Sequence, residues 1–283
     1  MQIRENLDPE DLPKLRQEVE QKYHLILRAG NIKLFLRQWQ HAKTKETAVL
    51  IFHGITAHSG PYTMIAEPLT TAGYTVFGLD LRGHGLSDGN RGDYQSSSQL
   101  NEDLLASVDY IHQLGFDDIV ILGHSLGVLT SLKLIELDPE GIVGLALFSA
   151  ALEVKEGARP GLTLWSKIKI GISSIIRPSM PVITYYREVM TGMGDPLFMF
   201  RYTLRFMKIF DADSIKLPYD LEIPFYMGIG ENDELFEVDA AKELFEQIDS
   251  DEKIFTVIKG AKHALFPFSA FDDLVKWMTD HFN

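Results

Sequence analysis

Ser125 has the most telling neighbours of any residue in this chain able to do covalent chemistry. It is the centre of Gly123-His124-Ser125-Leu126-Gly127, entered from Ile119-Val120-Ile121-Leu122 and left through Val128-Leu129-Thr130-Ser131-Leu132-Lys133-Leu134. A β-branched run, a G-x-S-x-G pentapeptide and a second apolar run read as strand, sharp turn and helix, with the serine on the turn. The glycines are a steric demand, because the turn strains the serine backbone and a Cβ at 123 or 127 would meet the neighbouring strand or helix. A serine hydroxyl is a poor nucleophile until a base accepts its proton, so acyl transfer here needs an imidazole and an acid to orient it. Asp233, in Gly230-Glu231-Asn232-Asp233, and His263, in Gly260-Ala261-Lys262-His263, supply those two types. Ser125 is then the nucleophile, His263 the base, and Asp233 the group that fixes the imidazole tautomer. Backbone N–H groups of Ile55, after His53-Gly54, and of Leu126 would face the developing oxyanion. This chemistry requires no metal and no cofactor.

These residues must be carried by elements that end close together. Two strand-like runs, Tyr23–Arg28 and Ile32–Arg37, are joined by Ala29-Gly30-Asn31 as a hairpin, which gives an antiparallel edge. A buried strand over Thr47–Phe52 leads to His53-Gly54, then a helix over Tyr62–Ala72 and a strand over Tyr74–Leu79 ending at Asp80. Leu100, Leu104, Leu105, Val108 and Ile111 recur at helical spacing between Ser98 and Leu114, with Gly115 as a stop. After the serine unit comes a strand over Ile142–Phe148. Alternation resumes with a strand over Ile223–Gly230, a helix over Val238–Ile248, a strand over Lys253–Ile258 and a closing helix over Phe268–Phe282. The expected fold is α/β, a mostly parallel doubly wound sheet, in which functional residues collect at the carboxyl ends of strands. His53, Asp80, Ser125, Asp233 and His263 all fall at such ends.

Residues 153–216 break the alternation and read as a helical insertion, a cap, rich in aromatics and Met and interrupted by Pro160, Pro178, Pro181 and Pro196. The division is a polar leader over 1–22, a body over 23–152 and 217–283, and the cap between. The cap holds ten Lys or Arg against six acids, so the rest of the chain carries a charge of −17. Within it Trp165, Ile168, Ile172, Ile175 and Ile176 fall on one helical face, with Lys167, Ser173, Ser174 and Arg177 largely off it. Such a stripe either packs onto the body or rests in an anionic membrane surface.

Length and composition bound the function. A chain of 283 residues, 45% hydrophobic and 24% charged, has ordinary globular composition. Its net charge of −13 disfavours a nucleic-acid partner. The absence of Cys excludes disulfides, thiolate nucleophiles and Cys-ligated metals. Residues 1–21 contain no apolar signal core and no later run reaches a membrane span, so the expectation is a soluble, cytoplasmic protein, with peripheral membrane contact only through the cap.

Ser, Asp and His follow one another in the chain order of an α/β-hydrolase. Together with Asp80-Leu81-Arg82-Gly83-His84-Gly85-Leu86-Ser87 and His53-Gly54-Ile55, they resemble the monoacylglycerol lipase and lysophospholipase branch of that superfamily over about residues 24–282. The resemblance implies a serine hydrolase of carboxylic esters bearing one acyl chain, with a helical cap over the pocket. Leu126 stands where this branch often has Met, and the cap shows no motif that aligns. Lysophospholipids and short-chain esters are alternative substrates. A serine aminopeptidase would need cap carboxylates to hold an amine, which a basic cap disfavours, and a non-catalytic binding protein of the same fold would not need all three reactive residues. Dehalogenase and epoxide-hydrolase chemistry would put a carboxylate at 125. Glu231 and Glu234 flank Asp233 as alternative acids. His53 is expected to orient the oxyanion loop, His58, His84 and His124 to be supporting structure, and Asp80 to shape its loop, while Ser59 and Ser87 lack the elbow geometry.

Overall fold

The computed structural model describes residues 9–19, 22–41, 45–151, 154–155, 170–173, 175–185, 192, 194–211, 216–218 and 220–282. Ten strands are found among them: β1 (Tyr23–Arg28), β2 (Ile32–Trp39), β3 (Ala48–Phe52), β4 (Thr75–Leu79), β5 (Ile119–His124), β6 (Ile142–Phe148), β7 (Ile183–Thr184), β8 (Arg201–Tyr202), β9 (Phe225–Gly230) and β10 (Lys253–Ile258). Eight form one sheet in the order β1-β2-β4-β3-β5-β6-β9-β10. The hairpin β1–β2 and the β2–β4 pair are antiparallel, and every other neighbour is parallel. The helices that bear on the site are α1 (Leu12–Glu18), α2 (Thr63–Thr71), α3 (Ser97–Gln113), α4 (Leu126–Glu136), α5 (Leu204–Ile209), α6 (Val238–Gln247) and α7 (Asp272–His281).

Side chains alternate across each strand, so the continuous apolar runs feed two cores. Leu50 and Phe52 of β3, Ile119 and Ile121 of β5 and Leu145 and Leu147 of β6 enter one core with Leu104 and Val108 of α3, Leu132 of α4 and Leu244 of α6. Val49, Ile51, Val120, Leu122, Ala146 and Phe148 enter the other with Ile65 and Leu69 of α2 and Leu274 and Trp277 of α7. Each fully buried large side chain contributes roughly 1.5–3 kcal/mol. Helices on both faces therefore hold the central strands rigid, and the chain winds outward from β3 in both directions, to β4 on one side and β5 on the other. The carboxyl ends of β3 and β5 flank that switch point, where an open α/β sheet leaves a crevice.

The structure differs from the sequence expectation in three places. The closing helix begins at Asp272 rather than Phe268; Phe268 is fully exposed, and the burying side chains start at Ala270. The leader carries α1, whose Leu12 and Arg16 are buried, with Arg16 donating to the Leu86 carbonyl (2.8 Å) and to Asp88 (2.7 Å). A seven-residue helix is too short for a periodicity signal. The segment expected to be helical contains the antiparallel pair β7–β8, with Ile183 opposite Tyr202. The β-branched Val182-Ile183-Thr184 after Pro181 favours extended backbone there. Residues 170–173 and 175–176 are helical, whereas Trp165, Lys167, Ile168, Lys169 and Ser174 of the proposed stripe lie outside the described residues.

Candidate active site

The register of β3 against β5 sets Phe52 beside Gly123. Two residues further on, Gly54 comes so close to the serine that a Cβ added to it would lie 3.4 Å from Ser125 Cβ. Ser125 follows β5 with φ 55° and ψ −115°, and α4 starts at once with Leu126. This left-handed conformation in a non-glycine residue costs on the order of 1–3 kcal/mol and persists because the surroundings determine it. A Cβ on Gly123 would sit 2.4 Å from the Gly127 carbonyl oxygen, and one on Gly127 would sit 2.0 Å from that of Phe52. Ser125 N–H is anchored to the Phe148 carbonyl at 3.0 Å. The tight packing of α4 on β3 and β5 thus forces the turn and holds the hydroxyl above the sheet.

Asp233 and His263 come from the loops after β9 and β10, which end opposite each other at Gly230 and Ile258. Backbone bonds continue past the strands: Glu231 N–H to Ile258 O at 3.0 Å and Asn232 N–H to Ala261 O at 2.8 Å. The two loops are thereby tied together, and His263 Nδ1 lies 3.0 Å from Asp233 Oδ2 and 3.2 Å from Oδ1. On the other side of the ring, Nε2 is 2.9 Å from Ser125 Oγ. The N–H groups of Leu235 and Phe236 donate to Asp233 Oδ1, at 2.8 and 3.1 Å, which fixes the carboxylate plane. Burial acts to raise the Asp233 pKa, but the hydrogen bond and charge of His263 and these two N–H groups bring it below the usual carboxylate range. Asp233 and His263 are 2% and 4% exposed.

The flanking acids face elsewhere. Glu234 Oε2 accepts the His263 N–H at 3.0 Å and Glu231 Oε2 the Gly260 N–H at 2.9 Å, so both brace the His263 loop, while the Asp233 carboxylate meets the ring at Nδ1. Lys155 adds a bond from Nζ to the Asp233 carbonyl at 2.8 Å.

On the β3 side, the fully buried His53 accepts the Leu81 N–H at Nε2 (3.1 Å), so its proton sits on Nδ1 and is donated to the Gly54 carbonyl (2.8 Å). Desolvation lowers its pKa to about 4, which keeps it neutral. Asp80 accepts N–H groups of Ser59 (2.6 Å) and Leu86 (2.8 Å) and so shapes two loops at once. Neither the Ile55 nor the Leu126 N–H has an acceptor among the described residues. From the segment before α5, Met199 N–H reaches Thr56 O at 2.9 Å and the Tyr202 hydroxyl donates to Ile55 O at 2.5 Å. His58 pairs with Asp195 at 3.0 Å, the His84 ring packs 5.2 Å from that of His53, and His124 lies 5.2 Å from His263, ring centre to ring centre. Ser59 Oγ accepts from Arg37, and Ser87 Oγ donates to the Asp80 carbonyl.

Ser125 and His263 open into a cavity of about 660 Å³. Its walls are largely apolar, with Ile55, Ala57, Ile65, Phe198, Leu265 and Phe266 among them, and Asp195, Asn232, Glu234 and Lys262 are among the polar residues that also line it. Among the described residues no group of three His, Asp or Glu is placed to hold a metal ion. Sequence reading missed Tyr62, whose hydroxyl accepts the Gly54 N–H (2.8 Å), and Ser149, a second serine at positive φ (51°) next to the site. A lone tyrosine in a helix start and a serine after a strand carry no pattern that marks them.

A mostly parallel eight-stranded sheet with a strained serine turn after its fifth strand and helices on both faces defines an α/β-hydrolase. The Hydrolase_4 family, described as serine aminopeptidase S33, matches residues 43–267, and the chain belongs to that family. It is 27% identical to the monoglyceride lipase of Mus musculus over 280 residues, 92% of this chain and 86% of that protein. The uncharacterized protein YnbC of Escherichia coli K12 is 29% identical over 153 residues, 52% of this chain but only 26% of YnbC. The crystal structure of a soluble variant of monoglyceride lipase from Saccharomyces cerevisiae, in complex with a substrate analog, has the same fold, with a TM-score of 0.73 at 16% identity over 100% of this chain and 98% of that one.

Proposed function

We propose that this hydrolase is a serine carboxylic-ester hydrolase acting on monoacyl lipids such as monoacylglycerols. The observation that carries the reading is the hydrogen-bonded series Ser125–His263–Asp233, whose first two members line a largely apolar cavity. Ser125 Oγ attacks the ester carbonyl as His263 Nε2 takes its proton, and Asp233 stabilises the resulting imidazolium. The oxyanion is met by the N–H groups of Ile55 and Leu126, each of which has no other acceptor among the described residues. His263 returns the proton to the departing alcohol, leaving an acyl-serine that water hydrolyses by the same steps in reverse order. The name of the mouse relative supports a monoacylglycerol as substrate, and apolar walls suit an acyl chain better than a peptide.

The family description favours one second reading, an aminopeptidase, and Asp195 and Glu234 do put carboxylates in the cavity wall. Both are engaged, Asp195 by His58 and the Leu197 N–H and Glu234 by the His263 N–H, so neither stands ready for a substrate amine. The test is labelling with a fluorophosphonate probe, mapped by mass spectrometry, followed by turnover of monoacylglycerols, lysophospholipids, short aryl esters and aminoacyl anilides. Labelling at Ser125 with monoacylglycerols preferred is expected; hydrolysis of the anilides alone would establish the second reading.

The 153–216 segment is the proposed cap. Ile172, Ile175 and Ile176 are 53%, 83% and 70% exposed there, which supports peripheral contact with an anionic lipid surface. Wild type is expected to sediment with anionic vesicles at low salt and to release at high salt, and Ile175→Ser with Ile176→Ser to weaken sedimentation without slowing hydrolysis of a soluble ester. Failure of the wild type to sediment even at low salt would remove this contact.

A further inference from the structure

Between the two halves of the site runs a chain of hydrogen bonds that the acyl-transfer steps do not use. It begins at the Gly54 N–H, which donates to Tyr62 Oη at 2.8 Å. Tyr62 Oη lies 2.7 Å from His124 Nδ1, and His124 Nε2 lies 2.8 Å from the carbonyl oxygen of His263. A backbone N–H only donates and a carbonyl only accepts, so every proton between these ends has one possible place. Tyr62 gives its proton to Nδ1, and His124 carries its own on Nε2. Tyr62 and His124 are each 6% exposed. Burial pushes the Tyr62 hydroxyl far above its ordinary range, and burial, with the charge of His263 as a second cause, lowers His124 to about 4. Both therefore stay neutral while His263 gains and loses its proton.

The ends of this chain are the two parts whose spacing matters for reaction at Ser125. Gly54 precedes the Ile55 N–H, and His263 carries the base. The His263 backbone is also held by Glu234 at its N–H, at 3.0 Å, and by the Ser149 hydroxyl at its carbonyl, at 3.4 Å. We propose that Tyr62 and His124 are positioning residues, a one-way hydrogen-bonded strut that sets the Gly54–Ile55 turn and the His263 ring at a fixed separation across Ser125. The proposal rests on the reading that Ser125 and His263 do the chemistry. A purely packing role would be met equally well by phenylalanine at 62, whereas the strut needs the hydroxyl, since without it a buried N–H and a buried ring nitrogen both lose their partner.

The experiment combines kinetics on a soluble aryl ester with nitrogen-15 NMR of the histidine rings. In Tyr62→Phe, kcat is expected to fall about 10- to 100-fold with KM changed less than about threefold, because displaced reacting groups raise the barrier while the cavity walls still bind. His124→Gln, whose amide nitrogen still donates toward the His263 carbonyl, should retain more kcat than His124→Ala. The double change Tyr62→Phe with His124→Gln should cost little more than the worse single one, as for members of one network. In the wild type the resonance lost in His124→Gln should report the Nε2–H tautomer from pH 5 to 8, and Tyr62→Phe should shift its tautomer ratio. Fluorophosphonate labelling of wild-type Ser125 tests the underlying reading separately, and its absence overturns that reading. Labelling with kcat unchanged in Tyr62→Phe, or an Nδ1–H tautomer for His124 in the wild type, overturns the strut.

Discussion

Two cavities of nearly equal size lie at opposite ends of the sheet, about 660 Å³ beyond the carboxyl ends and about 700 Å³ beside the amino ends of β6 and β9. The first has mostly apolar walls and a few buried polar groups that converge on one hydroxyl. The second is lined by Glu136, Asp138, Glu140, Asp220 and Glu222 together with Lys216, all of them exposed. Volume does not separate them; what does is that parallel strands present loops from several directions at their carboxyl ends and leave a switch point there. Asp233 at the first site is buried and held below the usual carboxylate range, while the five acids at the second are exposed. Buried, hydrogen-bonded, perturbed groups in a cleft mark a candidate reacting site, and exposed carboxylates mark a surface.

The sharpest way to break that contrast is Ser125→Ala. Hydrolysis should fall by several orders of magnitude and probe labelling should vanish, while circular dichroism and urea unfolding stay as in wild type, because only the activated hydroxyl is removed. Wild-type turnover in a pure, folded sample would end the serine-hydrolase reading. Next in size is Asp233→Asn, expected to lower kcat by about 10⁴, the loss that follows when the imidazole is held in the wrong tautomer. Glu234→Gln keeps an oxygen to accept the His263 N–H and should cost about tenfold or less. If Glu234→Gln is instead the crippling change, the acid has been wrongly assigned.

Acid sensitivity sharpens the comparison from another side. His53 and His124, beneath the carboxyl-end cavity, are lowered from 6.5 to about 4, chiefly by burial. Between about 6.5 and 4 the unfolded chain binds protons that the folded chain refuses, so stability falls as pH drops through that window. The loss is on the order of 3 kcal/mol for each histidine. Asp233 acts in a lower window: its depressed pKa contributes stability that is present above the unfolded value and lost as pH falls through the folded one. Urea midpoints at pH 7.5 and pH 5 should therefore differ clearly, and equal midpoints would contradict buried neutral histidines.

The parts of this architecture legible in the sequence are those set by local rules. β6 and β10 begin and end where their apolar runs do, and the Gly123-x-Ser125-x-Gly127 turn follows from steric exclusion by a helix that must start at once. Ser125, Asp233 and His263 stand out as candidates because each lies just beyond a strand that reads clearly. Tyr62 does not stand out, since its place between Gly54 and His124 depends on β3–β5 register and on where His124 points, which are tertiary facts. Residues 153–216 read as helix-like, broken by four prolines, and the β7–β8 pair shows that such composition decides little where packing partners come from distant loops. Glu231 and Glu234 looked interchangeable with Asp233 because a loop has no period to assign directions.

The amino-end cavity yields the smallest expected effect and the most direct test of the comparison. Glu140 and Asp220 line it, yet the strand ends that hold Ser125, Asp233 and His263 are at the other side of the sheet. Charges separated by the sheet act on the reacting groups only weakly, since exposed charges more than about 10 Å apart are largely screened at physiological salt. Glu140→Gln with Asp220→Asn should therefore change kcat/KM for a soluble ester by less than about twofold at 0.15 M salt, and leave probe labelling unchanged. The same pair should have at most a small effect on stability, because neither side chain is buried. A large loss of activity with stability intact would mean that the two ends communicate through the strands, and the amino-end cavity would then belong to the working site.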